Sequence, residues 1–273
     1  PILGSGIIIL PPLAYETAGN WAFPAWCLII IFGFFFAKIF GQLTLLFPGE
    51  AGVSLAVEHA FGRNARKLTG YYLIGAVLFG PVAVMLTAAK YLPFDINTPL
   101  AAMIIVLTGS LLLLKETAVI GKISLILSYI AAITLFSGGV TTCWLDLSPD
   151  AFALQGFGES RFGYTMLLLF WTLVGWEVVG SYSGDVKNPD RTIPRAVNYS
   201  VIIIAFVTLS VAAAIQVAAH HPSNSHHGVT TIIAPIFGSF SGYFMSFLTL
   251  SLCITTYLLF VGGVARLMAA FAD

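Results

Sequence analysis

An all-α polytopic membrane protein is the fold class this sequence predicts, and three observations carry it. Hydrophobic residues make up 58% of the 273 and charged residues only 9%, with a mean hydropathy of +0.94, which leaves too little polar surface to coat a water-soluble globule. The apolar residues fall in runs of about 20, the length a helix needs to cross about 30 Å of hydrocarbon. The alternating apolar and polar pattern of a membrane β-barrel is missing, so the spans are helices, whose backbone groups pair internally.

Marking runs and breaks along the chain predicts eight spans, at approximately 1–17, 21–47, 68–92, 99–114, 121–145, 162–184, 196–219 and 239–268. The first is an apolar run interrupted by Gly4, Ser5 and Gly6, and the second is rich in Phe and Ile up to Pro48–Gly49. The third follows a basic stretch at Arg63, Arg66 and Lys67, the fourth ends at Lys115–Glu116, and the fifth runs to the aspartates and Pro149. The sixth is glycine-interrupted, the seventh begins after Pro194, and the eighth follows the polar loop "HHPSNSHHG". Because the chain starts on Pro1 with a glycine break almost at once, the reading is of a fold truncated at both ends.

Orientation follows from Lys and Arg in the short loops. Assigning loops alternately to two sides puts Arg63, Arg66, Lys67, Lys115, Lys122, Lys187, Arg191, Arg195 and Arg266 on one side, nine of the twelve basic residues. Only Lys90 and Arg161 fall on the other, and Lys38 lies inside a span. Loops 49–67, 115–120 and 185–195 are therefore expected in the cytoplasm of a cell whose inner (plasma) membrane holds the protein. Twelve acidic residues balance the twelve basic ones, so there is no basic field to hold nucleic acid. Cys27, Cys143 and Cys253 read as small buried hydrophobes, with no spacing that suggests a metal.

Two spans are broken. Gly4–Ser5–Gly6 interrupts the first, and Gly175 and Gly180 flank Glu177 in the sixth. Small-residue packing between helices accounts for glycines. It does not account for an acidic residue at the same place, and acidic residues inside spans are rare and face a cavity or a partner. Transporters built from inverted repeats put interrupted helices at matching positions of the two repeats, with the substrate site between them. Spans one and six are five apart, which fits a five-plus-five repeat. Residues 1–145 are read as the first repeat and 146–273 as the start of the second.

The chemistry of two breaks suggests a ligand. A half-helix starting after Gly6 presents unpaired N–H groups and its positive dipole end, which suits a carboxylate. A half-helix ending near Val174 presents carbonyls and its negative end, which suits an ammonium group. Ser5 adds a hydroxyl, and Phe170, Trp171 and Val174 form an apolar wall. With no Asp or Arg beside the breaks to pair a charged side chain, a neutral amino acid is the expected substrate.

These residues also carry a resemblance. "FWTLVGWEVVGSYSGDVKNPDRTIPRAV" resembles the sixth helix and following loop of the amino acid-polyamine-organocation (APC) superfamily of permeases, with its aromatic, Gly, x, Glu and its K-N-P-x-R-x-[IFV]-P-R-A pattern. "GSGIIILPP", "FPGEAGVSLAVEHAFGR" and "VARLMAAFAD" are similar to its unwound first helix, the loop after helix two and the end of helix eight. The likeness covers the chain in register and is strongest to the bacterial branch that exports methionine and branched-chain amino acids, with the arginine/agmatine antiporter branch next.

The resemblance implies that Gly4, Ser5, Gly6 and Ile7 present backbone to a substrate carboxylate, that Trp171 is the aromatic wall or gate, and that Gly175 marks the unwound point. It makes Glu177 the candidate for proton coupling or for stabilising the break. It assigns the cytoplasmic gate to Lys187, Asn188, Pro189, Arg191, Pro194 and Arg195. The activity implied is secondary active transport by alternating access, coupled to protons or working by exchange, with no cofactor and no metal. Two features depart from the family: Ala51 replaces a glycine in the turn Pro48–Gly52, and no lysine stands in the middle of the fifth span.

Other polar residues point less clearly. Lys38 lies about nine residues, roughly 14 Å, from the end of span two, which is long for snorkelling; it is expected to pair with a carboxylate or a broken-helix carbonyl. Thr255 and Thr256 have hydroxyls suited to a cation, but threonine in a helix usually bonds back to the preceding turn. His220, His221, His226 and His227 read as a solvated outer loop rather than a metal site. An enzyme would need a nucleophile and base or a metal constellation, which the intramembrane Glu16, Lys38 and Glu177 do not make. A channel or receptor-like bundle explains helices, but not two breaks five spans apart.

Overall fold

The computed structural model describes residues 3–94, 96–146, 149–220 and 228–272. The described residues contain α and 3-10 helices and no strand. Helix α1 (Gly6–Ala18) passes through a single 3-10 turn at Gly19–Trp21 into α2 (Ala22–Leu46). A short α3 (Val53–Phe61) leads into α4 (Arg63–Lys90), and α5 (Thr98–Leu112) and α6 (Thr117–Asp146) complete the first half of the chain. In the second half, α7 (Glu159–Leu169) is followed by two 3-10 segments, then α8 (Pro189–Ala219), α9 (Val229–Phe237) and α10 (Ser241–Ala272).

Six helical stretches among the described residues are long and apolar enough to cross a membrane. Gly6–Leu46 and Val229–Phe271 are single stretches by this measure, although the first joins the two spans expected at 1–17 and 21–47. The span expected at 99–114 is α5, a shorter apolar helix of 15 residues, about 22 Å long at 1.5 Å per residue. Helices α3 and α9, nine residues each, were not among the expected elements, because they are too short to span and leave no long apolar run.

The two halves of the chain interleave. Helices α2 and α6 pack along α8, and α4 packs along α10. Glycine permits the closest of these approaches: a Cβ on Gly139 of α6 would lie 2.8 Å from the backbone of Ser210 in α8. The main buried cluster joins α1, α6, α8, α9 and α10 through Ile8, Leu135, Ile215, Ile232 and Leu248.

Hydrogen bonds close both ends of the bundle. At one end the Gln216 amide, 1% exposed, donates to the carbonyls of Ala151 (2.6 Å) and Asn20 (3.2 Å) and accepts from the Phe23 N–H (3.2 Å). Asn20 donates to the Asp150 and Ala153 carbonyls at 3.1 and 2.9 Å. At the other end the basic loops meet. Gly49 donates its N–H to Ser183 Oγ (3.0 Å), Arg66 pairs with Glu58 (2.7 Å) and donates to the Ala270 carbonyl (3.4 Å). The Pro48–Gly52 turn keeps positive φ at Gly49 and Gly52, and Ala51 is buried in it. Gly52 sits against Gly180, where a Cβ would come 3.0 Å from the Gly52 Cα.

Candidate functional site

The sixth span is broken where the sequence placed the break. Helix α7 ends at Leu169, tightens to a 3-10 turn at Phe170–Leu173, and goes extended at Val174 (φ −70°, ψ 129°). Gly175 follows with φ +121°, a backbone conformation open to glycine and strained for a residue with a Cβ. A second 3-10 segment runs from Glu177 to Asp185. The freed N–H of Gly175 donates to Oε2 of Glu177 at 2.8 Å, so the acidic side chain caps the break from two residues away. Near the first described residues, 3–5 are non-helical and α1 begins at Gly6, with Ile7 and Ile8 donating to the Gly4 and Ser5 carbonyls at 3.3 and 3.1 Å.

The start of α1 and the break in the sixth span line one cavity of about 300 Å³, with Gly4, Ser5 and Gly6 on one side and Trp171, Thr172 and Val174 on another. Trp171 stretches across it. A Cβ on Gly6 would touch its Cδ1 at 3.4 Å, and a Cβ on Gly80 of α4 would lie 3.9 Å from its Cη2. Helices α4 and α10 complete the wall with Phe79, Gly80, Pro81, Tyr257 and Phe260. The Tyr257 hydroxyl is fixed by a 2.7 Å hydrogen bond with Ser110 Oγ. No lining residue is Asp, Glu, Lys or Arg.

Of the residues singled out from sequence, Gly4, Ser5, Gly6, Trp171, Val174 and Thr256 come together in this cavity. Ile7 does not line it; it is 3% exposed and packs into the main core and a neighbouring void of about 40 Å³. Phe170 turns away from the cavity to meet Phe36 edge-on, with centroids 6.1 Å apart. Gly175 lines a separate cavity of about 480 Å³ on the other side of the break, with Trp176, Val178 and Tyr182. The walls from α4 and, Thr256 apart, from α10 escaped sequence reading because these stretches lie within long apolar runs, with Gly80 and Pro81 the local marks in α4.

The loop assigned to gating lies at the surface. Lys187, Arg191 and Arg195 are exposed. Asn188 takes a left-handed conformation (φ 51°) and caps α8 with Pro189 at its first turn, while Thr192 Oγ1 donates to the Lys187 carbonyl at 2.8 Å. The contact that ties helices together here belongs to Arg266 of α10. It pairs with Asp185 (2.6 Å), donates to the Ser181 carbonyl (3.4 Å) and stacks over the Tyr182 ring at 4.6 Å. Lys38 donates to Asn198 Oδ1 and lies 5.5 Å from the Phe34 ring centroid, so its partner is an amide and not the expected carboxylate or carbonyl. Thr256 bonds back to the Leu252 carbonyl at 2.8 Å as expected, but the buried Thr255 hydroxyl has no partner in the protein. His221, His226 and His227 lie outside the described residues.

The family model for amino acid permeases matches residues 1–273. The chain belongs to the amino acid permease family. This permease is 24% identical over 221 residues to YecA of Bacillus subtilis (strain 168), an uncharacterized amino acid permease, a match covering 76% of this chain and 52% of YecA. It is 26% identical over 217 residues to YjeH of Escherichia coli (strain K12), an L-methionine/branched-chain amino acid exporter, covering 76% and 50%. A probable polyamine transporter of Arabidopsis thaliana, At1g31830, is 25% identical over 207 residues, covering 71% and 42%. The chain thus spans about half the length of the curated relatives it matches. The relatives named here are a permease, an exporter and a probable polyamine transporter.

Proposed function

We propose that the intact permease is a secondary active transporter that moves a neutral amino acid of the methionine or branched-chain type across the cell membrane by alternating access. The observation that carries this reading is the shared cavity, in which the start of α1 and the break at Val174–Gly175 face one another across about 300 Å³. The start of a helix offers N–H donors to a carboxylate, and the end of the turn at Phe170–Leu173 offers carbonyls to an ammonium group. The wall of Trp171, Phe79, Tyr257 and Phe260 suits an apolar side chain, and the absence of a charged lining residue disfavours a cationic one. That YjeH is an exporter of methionine and branched-chain amino acids agrees with that wall.

The two halves, 1–145 and 146–273, act in this reading as one repeat and the start of its inverted partner, with the broken helices at matching positions. The loops at 49–67, 115–120 and 185–195 face the cytoplasm, in keeping with their basic residues.

Protons couple through Glu177. As a carboxylate it makes a charge-assisted hydrogen bond to the Gly175 N–H; protonation turns this into a neutral one, about half as strong, and loosens the break. The proton thereby biases the backbone beside the substrate cavity.

Counterflow of labelled leucine or methionine in proteoliposomes tests the function. Exchange of neutral amino acids without measurable conductance is expected. Conductance without counterflow supports a channel, and exchange restricted to arginine, agmatine or polyamines supports an amine antiporter; either outcome overturns the reading.

A further inference from the structure

A phenol stands in the apolar wall of the cavity of about 300 Å³, and its polar end is held by another helix. Tyr257 of α10 lines that cavity beside Phe260, is 7% exposed, and belongs to a buried cluster with Val84 of α4 and Ala101 and Ile105 of α5. Its hydroxyl shares a 2.7 Å hydrogen bond with Ser110 Oγ of α5, a residue outside the lining. The ring comes so close to the preceding residue, Gly109, that a Cβ there would lie 2.9 Å from Cδ1 and 3.0 Å from Cε1. Gly109 makes room for the ring, and Ser110 receives its hydroxyl.

Ser110 differs in this from its neighbour. Thr108, two residues earlier in α5, donates to the Ile104 carbonyl four residues back at 2.9 Å, the usual habit of a helix hydroxyl. Ser110 instead meets a side chain 147 residues away. Thr172 and Thr256, which also line the cavity, donate to carbonyls of their own turns at 2.7 and 2.8 Å. Local bonds of that kind form wherever the chain turns helical, whereas the orientation of Tyr257 depends on how α5 packs against α10. Phenol hydroxyls both donate and accept, so one free to turn would offer a partner to a polar solute. Held on Ser110, the hydroxyl is directed at α5, and ring carbons are left to face the solute.

We propose that Ser110 is a positioning residue that sets the selectivity of the cavity without touching the solute. By holding the Tyr257 hydroxyl on α5 it makes tyrosine serve as an apolar wall, which favours aliphatic side chains over polar ones of the same shape. The proposal rests on the transport reading above and deepens it. Leucine and asparagine are nearly isosteric, as are valine and threonine, so the polarity of the wall and not its shape must separate each pair. A side-chain amide or hydroxyl brought against this wall loses its water without gaining a partner, which is costly. Release of the Tyr257 hydroxyl would supply that partner.

The test is competition against labelled leucine by asparagine, valine and threonine, on the intact permease in detergent. It compares wild type, Ser110→Ala, Tyr257→Phe and the variant carrying both. Ser110→Ala should narrow the preference for leucine over asparagine, and for valine over threonine, by about 2- to 10-fold, the worth of one neutral hydrogen bond. In the Tyr257→Phe background the same change should narrow neither preference, because no hydroxyl remains to be released. Ser110→Thr, which keeps a hydroxyl, should hold the wild-type preferences. Ser110→Cys, whose thiol is a weaker partner, should narrow them in the same direction as alanine. Alanine is a better helix former than serine, so Ser110→Ala should fold, and the cysteine variant reads the same effect independently. Unchanged preferences in Ser110→Ala and Ser110→Cys would overturn the assignment. So would an equal weakening for all four amino acids, or a narrowing that persists with Tyr257→Phe, since either reduces Ser110 to a packing residue of α5. If the wild type binds neither leucine nor valine, the transport reading itself has failed, and the two failures are thereby told apart.

Discussion

Glu177 Oε2 accepts the backbone N–H of Gly175 at 2.8 Å, joining an acidic side chain to the one residue of this break that has left both helical and extended backbone. Gly175 frees the chain from its hydrogen-bond ladder, and Glu177 supplies the partner that the ladder no longer provides.

Exchanging Glu177 for glutamine separates capping from titration, because the amide oxygen still accepts from Gly175 but no longer binds a proton. Glu177→Gln is expected to fold normally and to flatten the pH dependence of transport. Glu177→Ala leaves the Gly175 N–H unpaired and should lower stability by about 1–3 kcal/mol. Transport rates from pH 5 to 8, with thermal melts in detergent, check both; a pH profile unaltered in Glu177→Gln would reduce Glu177 to a structural cap.

Gly175→Ala forces a Cβ onto a residue with φ +121°. The strain is about 1–3 kcal/mol, and the variant is expected to lose most transport while still inserting in the membrane. Uptake normalised to purified protein measures this, and wild-type rates would mean that the backbone relaxes freely here.

Trp171 spans the cavity from Gly6 to Gly80. Trp171→Ala should raise half-saturation for leucine and methionine about 10-fold, an apolar contact loss of about 1.4 kcal/mol, with Trp171→Phe in between. Competition binding in detergent reads the change independently of transport rate.

Arg266 clamps α10 to the segment after the break through Asp185, Tyr182 and Ser181. Its loss should open the larger cavity toward the basic loops. In an Arg266→Ala background, a cysteine placed at Ser200 of that cavity is expected to react faster with a membrane-impermeant maleimide applied from that face; equal labelling rates would deny the clamp a closing role.

Gly139→Ala would set a Cβ 2.8 Å from the Ser210 backbone. Backbone cannot rotate aside as a side chain can, so α6 and α8 must separate, at about 1–3 kcal/mol. A lower melting temperature is expected, whereas Gly121→Ala, with open space around its Cβ, should melt as wild type.

Much of this was legible in the residues themselves. The spans, their ends and the coincidence of Gly175 with Glu177 are local properties, set by hydropathy and by glycine's access to positive φ. Trp171 and Ser5 were recognisable because they adjoin breaks. Ile7 and Phe170 also adjoin them, yet both turn away from the cavity, since proximity along the chain does not state which face of a turn looks inward. Arg266 counted in the sequence only as one more inside-positive charge, whereas Asp185, Tyr182 and Ser181, which it meets, lie 81 or more residues away along the chain.

By itself, then, the sequence determined that the chain is a helical membrane protein of the permease family, where its backbone breaks, and that an acidic residue stands at one break. Only the tertiary structure decided that the start of α1 and the break in the sixth span share a cavity walled by α4 and α10, that Glu177 closes on Gly175, and that Arg266 of α10 ties down the segment after the break. The reason is physical. Helix formation and membrane insertion depend on residues within a few turns of one another, whereas a cavity is the space left where distant helices fail to touch, and its walls come from whichever faces their packing turns inward.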